Sequence, residues 1–107
     1  MKAAAHPIRV SPVIDDAARA AEIADILKAV AHPLRLRIIA RLCAGEANVT
    51  ALSQELGASQ AIVSQQLRIL RSSRLVEATR ADGFATYRLR EPRLRDLVKC
   101  VEGCGAH

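Results

Sequence analysis

Two groups of residues in this chain have types and spacings that could do chemistry. The first is the run Ser59-Gln60-Ala61-Ile62-Val63-Ser64-Gln65-Gln66-Leu67-Arg68-Ile69-Leu70-Arg71. With roughly 100° per residue on a helical wheel, Gln60, Arg71, Ser64, Arg68, Ala61 and Gln65 share one arc. Ile62, Val63, Leu67, Ile69 and Leu70 share the other and are expected to dock on a core. The polar arc carries amides, hydroxyls and guanidinium groups and no carboxylate. Short side chains allow close approach to a duplex. Gln and Ser donate and accept at base edges, and Arg reads guanine or neutralises phosphate. A solvated helix face normally mixes Glu with Lys, so this arc points to major-groove reading. Gln66 falls on the apolar side and is expected to be half-buried and hydrogen-bonded rather than to read bases.

The second group is Cys43, Cys100 and Cys104. Cys100 and Cys104 are four apart, on one face of a helix, at the edge of a stripe formed by Leu94, Leu97, Val98 and Val101. Paired thiolates suit soft ions such as Zn, Cd, Cu(I) or trivalent arsenic. Cys43 lies in an apolar arc, where a cysteine usually behaves as a small hydrophobe.

The elements that must position these residues can be read from local signals. A helical pattern starts at Asp15. His32-Pro33 ends it and starts a second helix over 33–44, with His32 capping the junction. That second helix is apolar over more than half its circumference and is expected to be buried on most sides. Asn48 is a good N-cap for a third helix over 49–56, and Gly57 a good C-terminal stop. Ser59 then caps a fourth helix over 60–72. Two helices joined by Gly57-Ala58-Ser59 make a helix-turn-helix. Asp82-Gly83 predicts a tight turn between two short strands, and a last helix begins at Glu91-Pro92. The expected fold is mainly α with a small β-hairpin: four helices, a hairpin wing and a fifth helix. Residues 1–14 are expected to be a flexible arm, 15–104 the domain and 105–107 a tail.

Charge agrees with a DNA partner. Sixteen basic residues face eleven acidic ones, for a net charge of +5. Between Arg68 and Arg95 stand eight arginines and three carboxylates, a surplus equal to that of the whole chain. Arg80 and Arg88 flank the predicted hairpin tip, where they can lie along a phosphate backbone. The chain has no run of eighteen apolar residues and no signal-peptide core, which predicts a cytoplasmic protein without a membrane partner. There the thiols stay reduced. No Gly-rich phosphate loop and no nucleophile elbow appears, so no enzyme is expected.

The run Leu27-Lys28-Ala29-Val30-Ala31-His32-Pro33-Leu34-Arg35-Leu36-Arg37-Ile38 resembles the opening of ArsR/SmtB-type repressors. Ser59-Gln60 with Ser64-Gln65-Gln66-Leu67 and Leu70-Arg71 resembles that family's recognition helix, with Gln66 where His is common. Leu75-Val76 and Tyr87-Arg88-Leu89 match its wing. The resemblance covers about residues 20 to 104. It implies a homodimer formed by the first and last helices, bound to an inverted-repeat operator. It also implies a repressor released by metals, metalloids, oxidants or reactive sulfur.

The DNA-contacting set is then Ser59, Gln60, Ala61, Ser64, Gln65, Arg68, Arg71, Arg80 and Arg88. The arsenite-type Cys-x-Cys positions are Asn48 and Thr50 here, so that site is absent. The zinc-type set falls on Glu91, Arg93, Cys104 and His107, and Arg cannot ligate a metal. Sulfide- and redox-sensing members pair a cysteine of the second helix with one of the last, where this chain has Cys43 and Cys104. The expected sensor is therefore Cys100 and Cys104, with Cys43 as a third thiolate if the second and last helices touch. No cofactor is required, and an arsenite-like, Cd or Zn ion would act as inducer. The alternatives are a constitutive regulator with structural cysteines, or a protein-interaction module on the same scaffold.

Overall fold

The computed structural model describes residues 12–105, the last two as backbone only. Pro12–Asp15 forms a turn of 3-10 helix, so regular structure begins inside the expected arm. The rest of that arm, and residues 106 and 107 of the expected tail, lie outside the described residues. Helix α1 spans Ala17–Val30, and its N-cap Asp16 accepts a hydrogen bond from the Arg19 amide at 2.9 Å. Only Val30 of α1 is fully buried, so most of this helix leans on little of its own chain.

Helix α2 spans Pro33–Leu42. His32 caps it as expected, its Nδ1 accepting from the amides of Leu34 at 3.2 Å and Arg35 at 3.4 Å. Ile38, Ile39 and Leu42 are fully buried. The expectation that α2 is enclosed on most sides is corrected by Leu36, which is 41% exposed.

A two-residue strand β1, Ala47–Asn48, follows and was not foreseen. Helix α3 spans Val49–Leu56, and α4 spans Gln60–Ser72. Strands β2, Val76–Ala81, and β3, Phe84–Leu89, form the hairpin. The turn residues Asp82 and Gly83 both have positive φ, 52° and 82°, as a two-residue turn that matches strand twist requires. β1 pairs antiparallel with β3 through Ala47–Tyr87 and Asn48–Thr86, so the wing is a three-stranded sheet in the order β1-β3-β2. Helix α5 spans Arg93–Gly105.

The core is aliphatic. Leu52 of α3, Val63, Leu67 and Leu70 of α4, Leu75, Val76 and Leu94 close it against Ile38, Ile39 and Leu42. One apolar cluster thus holds α2, α3, α4, the base of the wing and the start of α5 in one frame.

Candidate DNA-reading surface

The link between α3 and α4 is fixed by local bonds. Gly57 takes a left-handed φ of 65°, which only a residue without Cβ adopts freely, and its amide bonds the Ser53 carbonyl. The Ala58 amide also bonds the Ser53 carbonyl, at 3.2 Å, and the Ser53 hydroxyl donates to the Ala58 carbonyl. Asn48 accepts from the Ala51 amide at 2.8 Å, and Ser59 accepts from the Ile62 amide at 3.2 Å. The Ser59 hydroxyl therefore serves α4 itself.

Helix α4 presents Gln60, Ala61, Gln65, Arg68 and Arg71 to solvent and holds Ser64 half-buried among them. No carboxylate lies on the helix. Its opposite side needs one correction. Ile62 and Ile69 do not dock on the core and are 47% and 37% exposed, while Val63, Leu67 and Leu70 are fully buried. Ile62 and Ile69 flank the arc that the core covers, and among the described residues that edge stays exposed.

Gln66 is hydrogen-bonded as expected but buried rather than half-buried, and its partner is Arg35. Arg35 Nη1 donates to Gln66 Oε1 at 2.9 Å, and Arg35 Nε donates to the Ala29 carbonyl at 2.6 Å. One guanidinium thus ties the end of α1 and the start of α2 to the middle of α4. The arginines of α2 are all used in this way. Arg37 Nη1 donates to the Leu56 carbonyl at 3.1 Å. Arg41 meets Glu55 at 2.5 Å and donates to the Gly45 carbonyl at 3.1 Å. Sequence reading missed these staples, because nothing in α2 alone shows which carbonyls α3 and α4 bring to it.

The wing divides its two named arginines. Arg80 pairs in register with Ala85, on the side of Ala78, Tyr87, Val76 and Leu89, which faces the helices. Arg88 pairs in register with Glu77 on the other side. There it contacts Glu77 at 2.8 Å, the Thr79 hydroxyl at 2.6 Å and Glu46 at 3.9 Å. Arg80 is exposed and forms no ion pair among the described residues. The two arginines are not brought to one surface.

Cys43 and Cys100, the two cysteines whose side chains are described, belong to different helices. Cys43 closes α2, and its carbonyl accepts from Arg95 Nη1 at 2.6 Å, so α2 and α5 do touch. Burial pushes the Cys43 thiol up, against the pull of Arg95, and Glu102 pushes it the same way. Arg95 and Glu102 are seven residues apart on one face of α5. Cys100 is exposed and lies roughly 140° round the helix from Arg95. The backbone of Cys104 is in α5, and its side chain lies outside the described residues. Among the described residues no three His, Cys, Asp or Glu side chains are grouped to hold a metal. Glu91 is taken up by Arg93, which meets it at 2.8 Å and through its own amide at 2.9 Å. These bonds hold the Glu91 carboxyl down at about 2.

A capped helix-turn-helix, a sheet wing and a carboxylate-free exposed face on the second helix of the pair define a winged helix-turn-helix DNA-binding regulator. Residues 32–78 match the family model described as bacterial regulatory protein, arsR family. The chain belongs to that family. It is 41% identical over 83 residues to the biofilm growth-associated repressor of Xylella fastidiosa, covering 78% of this chain and 73% of that one. The crystal structure of the transcriptional repressor BigR from Xylella fastidiosa superposes with a TM-score of 0.84 at 36% identity, covering 91% of this chain and 99% of that one. The homodimeric winged helix-turn-helix domain of Mb0332 from Mycobacterium bovis superposes with a TM-score of 0.72 at 29% identity, covering 94% of this chain and 96% of that one. The chain is accordingly a DNA-binding transcriptional regulator of the repressor type and not an enzyme. Among the described residues no helix is long and apolar enough to cross a membrane.

Proposed function

We propose that the protein is a cytoplasmic homodimer that represses transcription from an inverted-repeat operator. Its base-reading residues are Gln60, Ala61, Ser64 and Gln65. Ser59, Arg68, Arg71 and Arg80 hold the backbone, and Arg88 braces the wing. The observation that carries the reading is the face of α4. Its amides and guanidiniums are exposed while Gln66 behind them is clamped by Arg35. The test is Gln60→Ala, measured on the operator and on random duplex. A base contact predicts a loss of about 1–3 kcal/mol on the operator and much less on random DNA. Equal losses on both would remove base reading from Gln60.

Release from DNA is assigned to the thiols of the last helix, because Cys100 is exposed and Cys43 is not ready to ionise. Arsenite, Cd, Zn or an oxidant joining Cys100 and Cys104 would reshape the end of α5 and, with it, the spacing of the two recognition helices. The double variant Cys100→Ser/Cys104→Ser should bind the operator and ignore the inducer, while Cys43→Ser should respond normally and lose stability. Release of the double variant at the parent's inducer concentration would place the sensor elsewhere, and a parent that no thiol-reactive inducer releases would favour the second reading, a constitutive regulator. The separation of Cys43 from Cys100 argues only against Cys43 as a third thiolate.

A further inference from the structure

A cleft of about 750 Å³ is not used by DNA reading or by the thiols. It lies between α1, the turn from α4 to β2, and the link from β3 to α5. Its charged lining comprises Glu22, Asp25 and Lys28 of α1, with Arg74, Arg90, Glu91 and Arg93 opposite. Arg93 is already neutralised, by Glu22 at 3.4 Å and Glu91 at 2.8 Å. Arg74 and Arg90 form no ion pair and no side-chain hydrogen bond among the described residues. The backbone brings them together, since the Arg90 amide donates to the carbonyl of Leu75, the residue after Arg74, at 2.8 Å. Both residues line the cleft, and their guanidiniums leave their hydrogen-bond donors open.

The backbone at Arg74 gives a second observation. Its φ is 61°, in the left-handed region. The Leu75 amide returns to the Leu70 carbonyl at 3.0 Å, and the Arg74 amide bonds the Arg71 carbonyl at 3.0 Å. This is the helix-ending turn whose left-handed position favours glycine. An arginine there is strained, and strain of this kind gathers at binding sites.

We propose that this cleft binds a small dianion, carried as a phosphate group or as a pair of carboxylates, between Arg74 and Arg90. Its size is that of a metabolite site. Asp25 and Lys28 across the cleft would hold the polar remainder of the ligand. The cleft stays open in a dimer built on α1, because Ala20, Ala24 and Leu27 lie roughly 100–160° round that helix from Asp25.

The experiment is thermal unfolding of the full chain in 10 mM inorganic phosphate, in succinate, and in NaCl of equal ionic strength. A dissociation constant about a tenth of that concentration raises the midpoint by about 6 °C over NaCl for a domain of this size. Which salt does so distinguishes a phosphate ligand from a dicarboxylate. Arg90→Gln should abolish the shift. Arg74→Gly should abolish it too, yet unfold about 4 °C higher than the parent without any ligand, because the strain is gone. Equal midpoints in all three salts, or an undiminished shift in both variants, would overturn the proposal. So would a fall of about one unit in the salt slope of random-duplex binding in each variant, which would make both arginines contacts to DNA phosphates.

Discussion

Arg35 is the residue on which the reading head is hung. Its Nε satisfies the last turn of α1 and its Nη1 satisfies Gln66, which is only 9% exposed. Removing the guanidinium leaves a buried amide without its partner. Arg35→Ala should therefore destabilise by about 1–3 kcal/mol in urea unfolding. The paired change Arg35→Met with Gln66→Leu should recover much of that loss, because it removes both polar partners. A double variant as unstable as Arg35→Ala would move the effect to the bond with the Ala29 carbonyl, which both variants lose while Met keeps most of the alkyl stem. Gln66 was legible in the sequence as the one polar residue on an apolar arc. Arg35 was not, because its partner lies thirty-one residues away.

At the scale of elements, the caps were the most legible parts. Asp16, His32, Asn48 and Ser59 each satisfy amides two or three residues ahead, so their signal is local. The strand Ala47–Asn48 was hidden because two residues carry no periodicity and their pairing depends on Tyr87 and Thr86. The two sides of the wing could have been read from sequence. A two-residue turn at Asp82-Gly83 places Arg88 opposite Glu77, a cross-strand ion pair, and leaves Arg80 opposite Ala85. The wheel of α4 misled over Ile62 and Ile69, since it shows which residues share a side and not what covers them. This division of the wing makes the two arginines separable. Arg80→Ala should weaken operator and random DNA alike and lower the magnitude of the salt slope by about one unit. Arg88→Ala should leave that slope unchanged and act through stability, by about 0.5–1 kcal/mol, as the loss of a partly exposed pair. The same slope change in both variants would place both side chains on phosphate.

The whole molecule leaves apolar surface that its own core does not use. Ile14 is 70% exposed, Leu27 45% and Val101 57%, on the segments before α1, in α1 and near the end of α5. Leu27 and Val101 belong to the two helices expected to join protomers, with Ile14 just before the first, and recognition helices of a dimer can reach successive major grooves about 34 Å apart. Charging this surface with Leu27→Glu or Val101→Glu should yield monomers in sedimentation, with operator affinity falling toward that for random DNA. A charged variant that sediments as a dimer would move the interface elsewhere.

The small strand at Ala47–Asn48 also bears on how such a regulator can be altered. Asn48 is at once a rung of the wing sheet and the cap of α3, while Glu46 reaches Arg88. The helix pair and the hairpin are thus stitched into one cassette from Glu46 to Leu89. A chimera that transplants only residues 60–72 from a relative keeps the host's stitching and its wing angle. One that transplants the hairpin alone cuts the seam. On the proposed reading, specificity should travel as a block from Glu46 to Leu89, into a host whose Arg35 and Arg41 still meet Gln66 and Glu55.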